Sequence, residues 1–269
     1  MTDKNTSGSD DEKDVVKIGK HKIELPITYK EADVFSAAFT VSASRLEKIL
    51  PSKKLRPMIS FPGRAVMMIA AMNYRDSSIG PYGEAYITFP VYYKAMSIPI
   101  LSPLFEMRWP GTGMYVLYSM ADNELAVEAG KQIWKQPKIM SDIKFTDRPG
   151  INRCELKERD KNESIIGFSM QKTGRTERYN MNWRTYTIDG NELLTTDIKI
   201  DGVRRIARFG KTAELHLTDH PISKSIQELD PSPSPIMSSY YVRIKGAMLR
   251  PHRTDPIEES SDMEKKQNE

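Results

Sequence analysis

Hydrophobic residues in the middle of this chain come in short runs rather than in helical stripes. VMMIAAM (66–72), EAYITFPVYY (84–93) and GMYVLYSM (113–120) are apolar or alternating and are bounded by Gly, Pro, Asn and Asp. That pattern predicts strands separated by turns. Segments near 164–171, 178–188, 193–200 and 238–248 also alternate and carry Tyr, Ile and Thr, which favour a pleated backbone. Turn chemistry punctuates them: KTGR in one place, and in TIDGNELLTTDIKI an Asp189-Gly190 pair that predicts a hairpin. Many strands at short spacing predict an α+β fold, mostly antiparallel sheet arranged as a sandwich or a barrel.

Two helices interrupt the strands. SASRLEKIL (42–50) opens on a serine cap, carries apolar Leu46, Ile49 and Leu50, and stops before Pro51. NELAVEAGKQIWKQ (123–136) has Asp122 or Asn123 as its cap, Glu124 and Glu128 early, and Lys131 and Lys135 late, matching the helix dipole. Leu125, Ala126, Ala129, Ile133 and Trp134 give it an apolar stripe, and Pro137 is expected to end it. Lys138 is then the first residue past the stop, with a helix end on one side and an apolar strand on the other.

Residues 1–15 and 253–269 are rich in charged and small polar side chains with almost nothing to bury, so both are expected to be disordered tails flanking one domain, 16–252. No long linker and no internal repeat divides that domain. The formal charge of +4 is spread along the chain, which argues against nucleic acid as a partner. A single cysteine, Cys154, excludes an internal disulfide framework and suits a reducing compartment. The polar N-terminus has no apolar leader and no run approaches about 18 apolar residues, so a soluble, cytoplasmic protein without a membrane partner is expected.

Lysine in water titrates at about 10.4, which leaves few neutral amines at pH 7. A neutral amine can attack a ketone and form an imine. Once protonated, that imine withdraws electrons and lets a β-carboxylate leave as carbon dioxide, with no metal or other cofactor required. The amine's pKa must fall by roughly 3–4, about 4–5 kcal/mol of differential solvation. Apolar neighbours such as Ile139 and Met140 could supply this, although a lysine beside an isoleucine is ordinarily a snorkelling surface cation. Glu84 opens an otherwise apolar strand in GPYGEAYITFPV (80–91). Facing inward it needs a partner, and paired with a lysine it could move protons. At the strand mouth it would sit in water.

Several segments, in one order over about residues 30–250, resemble the acetoacetate decarboxylase family. They are VFSAAFTVSASRLEKILP (34–51), GPYGEAYITFPV (80–91), GMYVLYSMADNELAVEAGKQIWKQPK (113–138), GKTAELHLTDHP and IMSSYYVRIKGAMLRP. The resemblance implies an antiparallel β-barrel or double cone with few helices, decarboxylation of a 3-oxo acid, no cofactor, and assembly into a homo-oligomer. It matches Lys138 to the Schiff-base lysine and Glu84 to the active-site glutamate. Acetoacetate decarboxylase is itself the standard example of a lysine activated by desolvation or a nearby cation. Two positions depart from the family pattern: Ile139 stands where a second lysine is usual, and Ala32 where an arginine is usual. Arg75, in NYRDSS, is a candidate replacement for that arginine in substrate binding, and Tyr82 a candidate hydrogen-bond donor in the same pocket. Relatives also use the lysine imine for aldol and dehydration chemistry. An aldolase or dehydratase, or a binding barrel in which Lys138 merely pairs with a ligand carboxylate, therefore stands as the alternative.

Other constellations carry less. His216, Asp219 and His220 in HLTDH lack a further ligand, and no metal site is expected. Arg204, Arg205 and Arg208 are expected to face solvent or a neighbouring subunit. Met67, Met68 and Met72 read as core filler or pocket wall. Trp109, Trp134 and Trp183 read as packing or interface anchors, and Cys154 as inert.

Overall fold

The computed structural model describes residues 14–94 and 111–256. A short hairpin, β1 (Val15–Ile18) and β2 (His21–Glu24), leads into β3 (Ile27–Ser42) and helix α1 (Ala43–Ile49). Two three-residue strands, β4 (Leu55–Pro57) and β5 (Ile59–Phe61), precede the long strands β6 (Arg64–Ser77) and β7 (Tyr82–Tyr93). Then come β8 (Thr112–Ala121), α2 (Glu124–Trp134), β9 (Lys138–Arg148), β10 (Ile151–Glu158) and β11 (Ser164–Gln171). β12 (Arg175–Asp189), β13 (Glu192–Arg208), β14 (Ala213–Leu217), α3 (Pro221–Gln227), β15 (Met237–Met248) and β16 (His252–Pro256) complete the described chain.

Seven strands close on themselves in the order β8-β12-β13-β15-β3-β6-β7 and back to β8. The expected mostly antiparallel barrel is therefore present, with one parallel seam: β12 meets β8 only at Thr185↔Met114 and Tyr186↔Tyr115. Beyond that seam β8 forks. Its last residues, Ser119–Ala121, pair in parallel with Lys138–Met140 of β9. That pairing starts a second leaf, β9-β10-β11-β14.

Strand β6 explains why the centre of the chain reads as continuous apolar sequence. Ala65, Met67, Ile69 and Ala71 face outward into a core shared with the second leaf, where Leu156, Ile165 and Phe168 lie. Met68, Ala70, Met72 and Tyr74 face the barrel interior. A strand covered on both faces has no polar side to alternate with. One end of the barrel is closed by α2 and the β1–β2 hairpin, whose Ile133, Trp134, Ile18 and Ile23 pack with Tyr29, Tyr74 and Tyr82.

Local expectations fare unevenly. The Asp189-Gly190 hairpin forms, with Gly190 at φ +61. Asn123, not Asp122, caps α2, its side chain accepting from the Ala126 N–H. Helix α2 ends before Pro137, because Lys135 adopts φ +50 and the Gln136 N–H turns back to the Gly130 carbonyl. Helix α3, a short one, starts with Pro221 after a His220 cap. Of the expected tails, residues 1–13 and 257–269 lie outside the described residues, as does Trp109. Val15 belongs to β1, and Arg253 of β16 pairs with Leu194 of β13.

Candidate active site

Lys138 is placed by two backbone hydrogen bonds at the fork. After Lys135 reverses the chain, the Lys138 N–H donates to the Gln136 carbonyl at 2.8 Å and the Ser119 N–H to the Pro137 carbonyl at 3.3 Å. Lys138 thus opens β9 opposite Ser119 and directly beneath α2. Its aliphatic stem lies in a slot made by Gly130, where an added Cβ would stand 2.6 Å from Lys138 Cδ and 3.1 Å from Gln136 Oε1. Only 5% of the side chain is exposed.

Glu84 is 1% exposed, and its Oε1 is in direct contact with Lys138 Nζ. Ser119 Oγ lies 3.5 Å from the same carboxylate oxygen. A burial this complete requires the two charges to be paired or to neutralise each other by moving the shared proton. Strand alternation puts Tyr82, Glu84 and Tyr86 on one face of β7. Lys138 Nζ sits 5.8 Å from the centroid of the Tyr86 ring, whose hydroxyl donates to Gln136 Oε1 at 3.3 Å. Tyr82 packs at a tilt against Tyr74, and Tyr74 stacks on Tyr29, at ring separations of 4.6 and 4.4 Å. Burial first, and the negative charge of Glu84 next, hold the Tyr86 hydroxyl well above its ordinary range. Burial, then mutual repulsion with Tyr29 and the charge of Glu84, do the same for Tyr74 and Tyr82. These tyrosines stay neutral and can act as O–H donors. Behind Glu84, Asp122 Oδ1 accepts from the Gly83 N–H at 2.8 Å and ties the end of β8 to β7. Burial raises that carboxyl's pKa.

Tyr74 and Tyr86 also form the wall of a cavity of about 70 Å³ in the barrel interior. Its lining is mostly aromatic, aliphatic and thioether, with the hydroxyls of Thr88 and Thr185, and among the described residues it carries no Lys, Arg, Asp or Glu side chain. Ala32 is fully buried among the same interior residues, paired in register with Tyr74 and Ile244. Among the described residues, no cation stands on that wall.

The residues expected from the sequence divide clearly. Lys138, Glu84 and Tyr82 come together. Arg75 does not join them: on β6 it follows inward-facing Tyr74, so alternation turns it to the outer face. There it is half exposed and contacts Asp33 and Glu31. Ile139 likewise points away from Lys138 into the outer core, so of the two expected apolar neighbours only Met140 packs on the site's side. Arg204 corrects the expectation of a solvent-facing basic patch. It is 4% exposed, lies 4.4 Å from the Tyr179 ring centroid and donates to Glu177 Oε1 at 2.7 Å. Arg205 and Arg208 are exposed.

His220 accepts from the Ile222 N–H and meets Glu158, while His216 packs over Gly167. Among the described residues, no group of three or more His, Cys, Asp or Glu side chains could hold a metal. Met68 and Met72 line the cavity, while Met67 fills the outer core. Trp183 is cavity wall, and Trp134 is buried and donates to the Leu249 carbonyl. Cys154 is buried, and that burial pushes its thiol pKa upward. Sequence reasoning missed Tyr86, Gln136, Ser119 and Gly130. The Gly130-Lys131 step and the alternation after Glu84 were the only available signals.

Comparison with known proteins agrees with this fold. The family model described as acetoacetate decarboxylase (ADC) matches residues 18–248. No curated protein sequence matches the chain. Among solved structures, the acetoacetate decarboxylase of Legionella pneumophila subsp. pneumophila str. Philadelphia 1 is similar at TM-score 0.60 and 16% identity, covering 86% of this chain and 88% of that one. A second acetoacetate decarboxylase is similar at TM-score 0.60 and 16% identity, covering 85% and 89%. The enduracididine biosynthesis enzyme MppR, complexed with pyruvate, is similar at TM-score 0.60 and 13% identity, covering 85% and 90%. At these identities the solved structures establish a shared fold. With the family model spanning most of its length, this chain belongs to the acetoacetate decarboxylase family.

Proposed function

We propose that this protein is a Schiff-base lyase that decarboxylates acetoacetate or a related 3-oxo acid, with Lys138 as nucleophile and Glu84 as proton carrier. The observation that carries the reading is a lysine 5% exposed, in contact with a carboxylate 1% exposed, beside an apolar cavity. The ammonium hands its proton to Glu84 and the free amine adds to the C3 carbonyl. Glu84 returns the proton as the carbinolamine loses water, leaving an iminium ion. The C1–C2 bond then breaks. Its electron pair moves into the iminium to give an enamine, and carbon dioxide leaves. One proton drawn from solvent through Glu84 reaches C2, and water releases the ketone and regenerates the lysine. Tyr82 and its aromatic partners hold Glu84 in place by packing.

Incubation with acetoacetate and sodium borohydride, followed by intact mass and peptide mapping, tests this reading. The expected outcome is a reduced adduct on Lys138, with carbon dioxide released when borohydride is omitted. Lys138→Ala is expected to abolish both while the protein stays folded; normal turnover in that variant would sink the proposal. The structural likeness to MppR with bound pyruvate favours a second reading, aldol or dehydration chemistry through the same lysine. It predicts the adduct and turnover of an oxo acid without carbon dioxide.

A further inference from the structure

The walls of the barrel cavity say what kind of molecule fits it. Met68, Met72, Met114 and Met248 line it together with Ile198 and Ile244. Several polar atoms on those walls are turned to neighbouring side chains. The Tyr74 hydroxyl donates to Met72 Sδ at 3.0 Å, the Tyr29 hydroxyl to Met248 Sδ at 3.8 Å, and the Trp183 N–H to the Tyr179 hydroxyl. What remains for a ligand is mostly thioether, methyl and ring surface, with the hydroxyls of Thr88 and Thr185 as the polar exceptions. Methionine adapts its shape easily, so such a wall grades chain length rather than rejecting it sharply. A volume of about 70 Å³ has room for roughly five water-sized groups.

We propose that the cavity takes the tail of the substrate and selects 3-oxo acids bearing an unbranched apolar chain of about three to five carbons beyond the carbonyl, in preference to acetoacetate. This deepens the reading above and rests on Lys138 forming the imine at the tyrosine wall. From there the tail runs along Met68 and Met72 toward Ile244. A second carboxylate in that position meets no cation among the described residues, so dicarboxylic oxo acids are disfavoured.

The test is a series on the wild-type protein: acetoacetate, 3-oxohexanoate, 3-oxooctanoate and 3-oxoglutarate, each at sub-saturating concentration with borohydride. The rate of adduct formation at Lys138 is the readout. Each buried methylene contributes roughly a fourfold gain, so 3-oxooctanoate should react on the order of a hundredfold faster than acetoacetate, and 3-oxoglutarate more slowly than acetoacetate. Ala70→Leu, which fills the cavity from β6, should lower the 3-oxooctanoate to acetoacetate ratio at least about tenfold by the same reckoning. Adducts that form at equal rates, or fastest with acetoacetate, overturn the inference and leave Lys138 as the nucleophile. Calorimetry with the matching 3-hydroxy acids, which cannot form an imine, separates the two claims. Affinity rising with chain length but no adduct overturns the imine and keeps the selectivity. Neither adduct nor rising affinity overturns both.

Discussion

At the scale of single residues, the site depends on one missing side chain as much as on the two charged ones. Gly130 has no Cβ, and that absence is what admits the stem of Lys138 under α2. Gly130→Ala keeps the helix, since alanine is the better helix former, but drives the lysine from its slot. A misplacement of about 1 Å can cost a hundredfold in rate. We expect adduct formation with a 3-oxo acid to slow by roughly ten- to a hundredfold while the far-ultraviolet spectrum is unchanged; an unchanged trapping rate would mean the slot is unimportant. The Lys138–Glu84 pair makes a different demand. Removing one partner leaves the other buried alone, a loss of about 3–5 kcal/mol, whereas removing both costs far less than the sum. Lys138→Met and Glu84→Gln should each lower the urea midpoint strongly, and the double variant should recover much of the loss. Additive losses would show the two groups act independently. Lys138 and Glu84 were legible because a charge beside a proline stop or within an apolar run breaks a pattern. Tyr86 and Gly130 break none, and their roles appear only once the direction of the lysine side chain is known. Arg204 was misread because its neighbours Arg205 and Arg208 are exposed. A register shift between Asp201 and Val203 precedes the position at which Arg204 faces inward.

Among the elements, α2 has two duties: its apolar face closes one end of the barrel, and its C-terminal turn positions Lys138. The Asn123 cap is local to that helix, so its loss can be read separately from the chemistry. Asn123→Ala should cost about 1 kcal/mol, a fall of roughly 2–4 °C in melting temperature for a domain of this size, with adduct formation at Lys138 retained below the transition. A melting temperature that does not move would mean that water replaces the cap. Helix α2 was readable because an eleven-residue helix carries a stripe, a cap and a charge gradient together. Helix α3, with seven residues, shows only His220-Pro221, and the alternating LHL just before it signals a strand instead. The long strands were readable for a related reason, since β6, β7 and β8 are buried over most of their length. Strands β4 and β5 are three residues each and leave no period to detect.

For the whole molecule, the choice between a sandwich and a barrel lay beyond sequence patterning, because it is decided by one contact between distant strands. Six seams of the barrel are antiparallel and most are long, with β12 and β13 matched over fifteen residue pairs. The closing seam has two, Thr185↔Met114 and Tyr186↔Tyr115. The Tyr186 ring, 2% exposed, lies across Gly113, and its hydroxyl donates to the Gly111 carbonyl at 3.1 Å. A Cβ on Gly113 would stand 2.4 Å from the Tyr186 ring, a distance at which the ring must leave. The same strand, three residues beyond Val116, reaches the fork that carries Lys138, so opening the seam also loosens the support of the site. Gly113→Ala is therefore expected to destabilise by about 1–3 kcal/mol through overpacking and to speed amide exchange along the first half of β8. Adding Tyr186→Leu in the same chain should restore part of the urea midpoint, because the smaller side chain vacates the space that the new methyl needs. A Gly113→Ala protein with an unchanged midpoint and unchanged exchange would mean that the ring yields freely, and that two residue pairs suffice to hold the barrel shut without it.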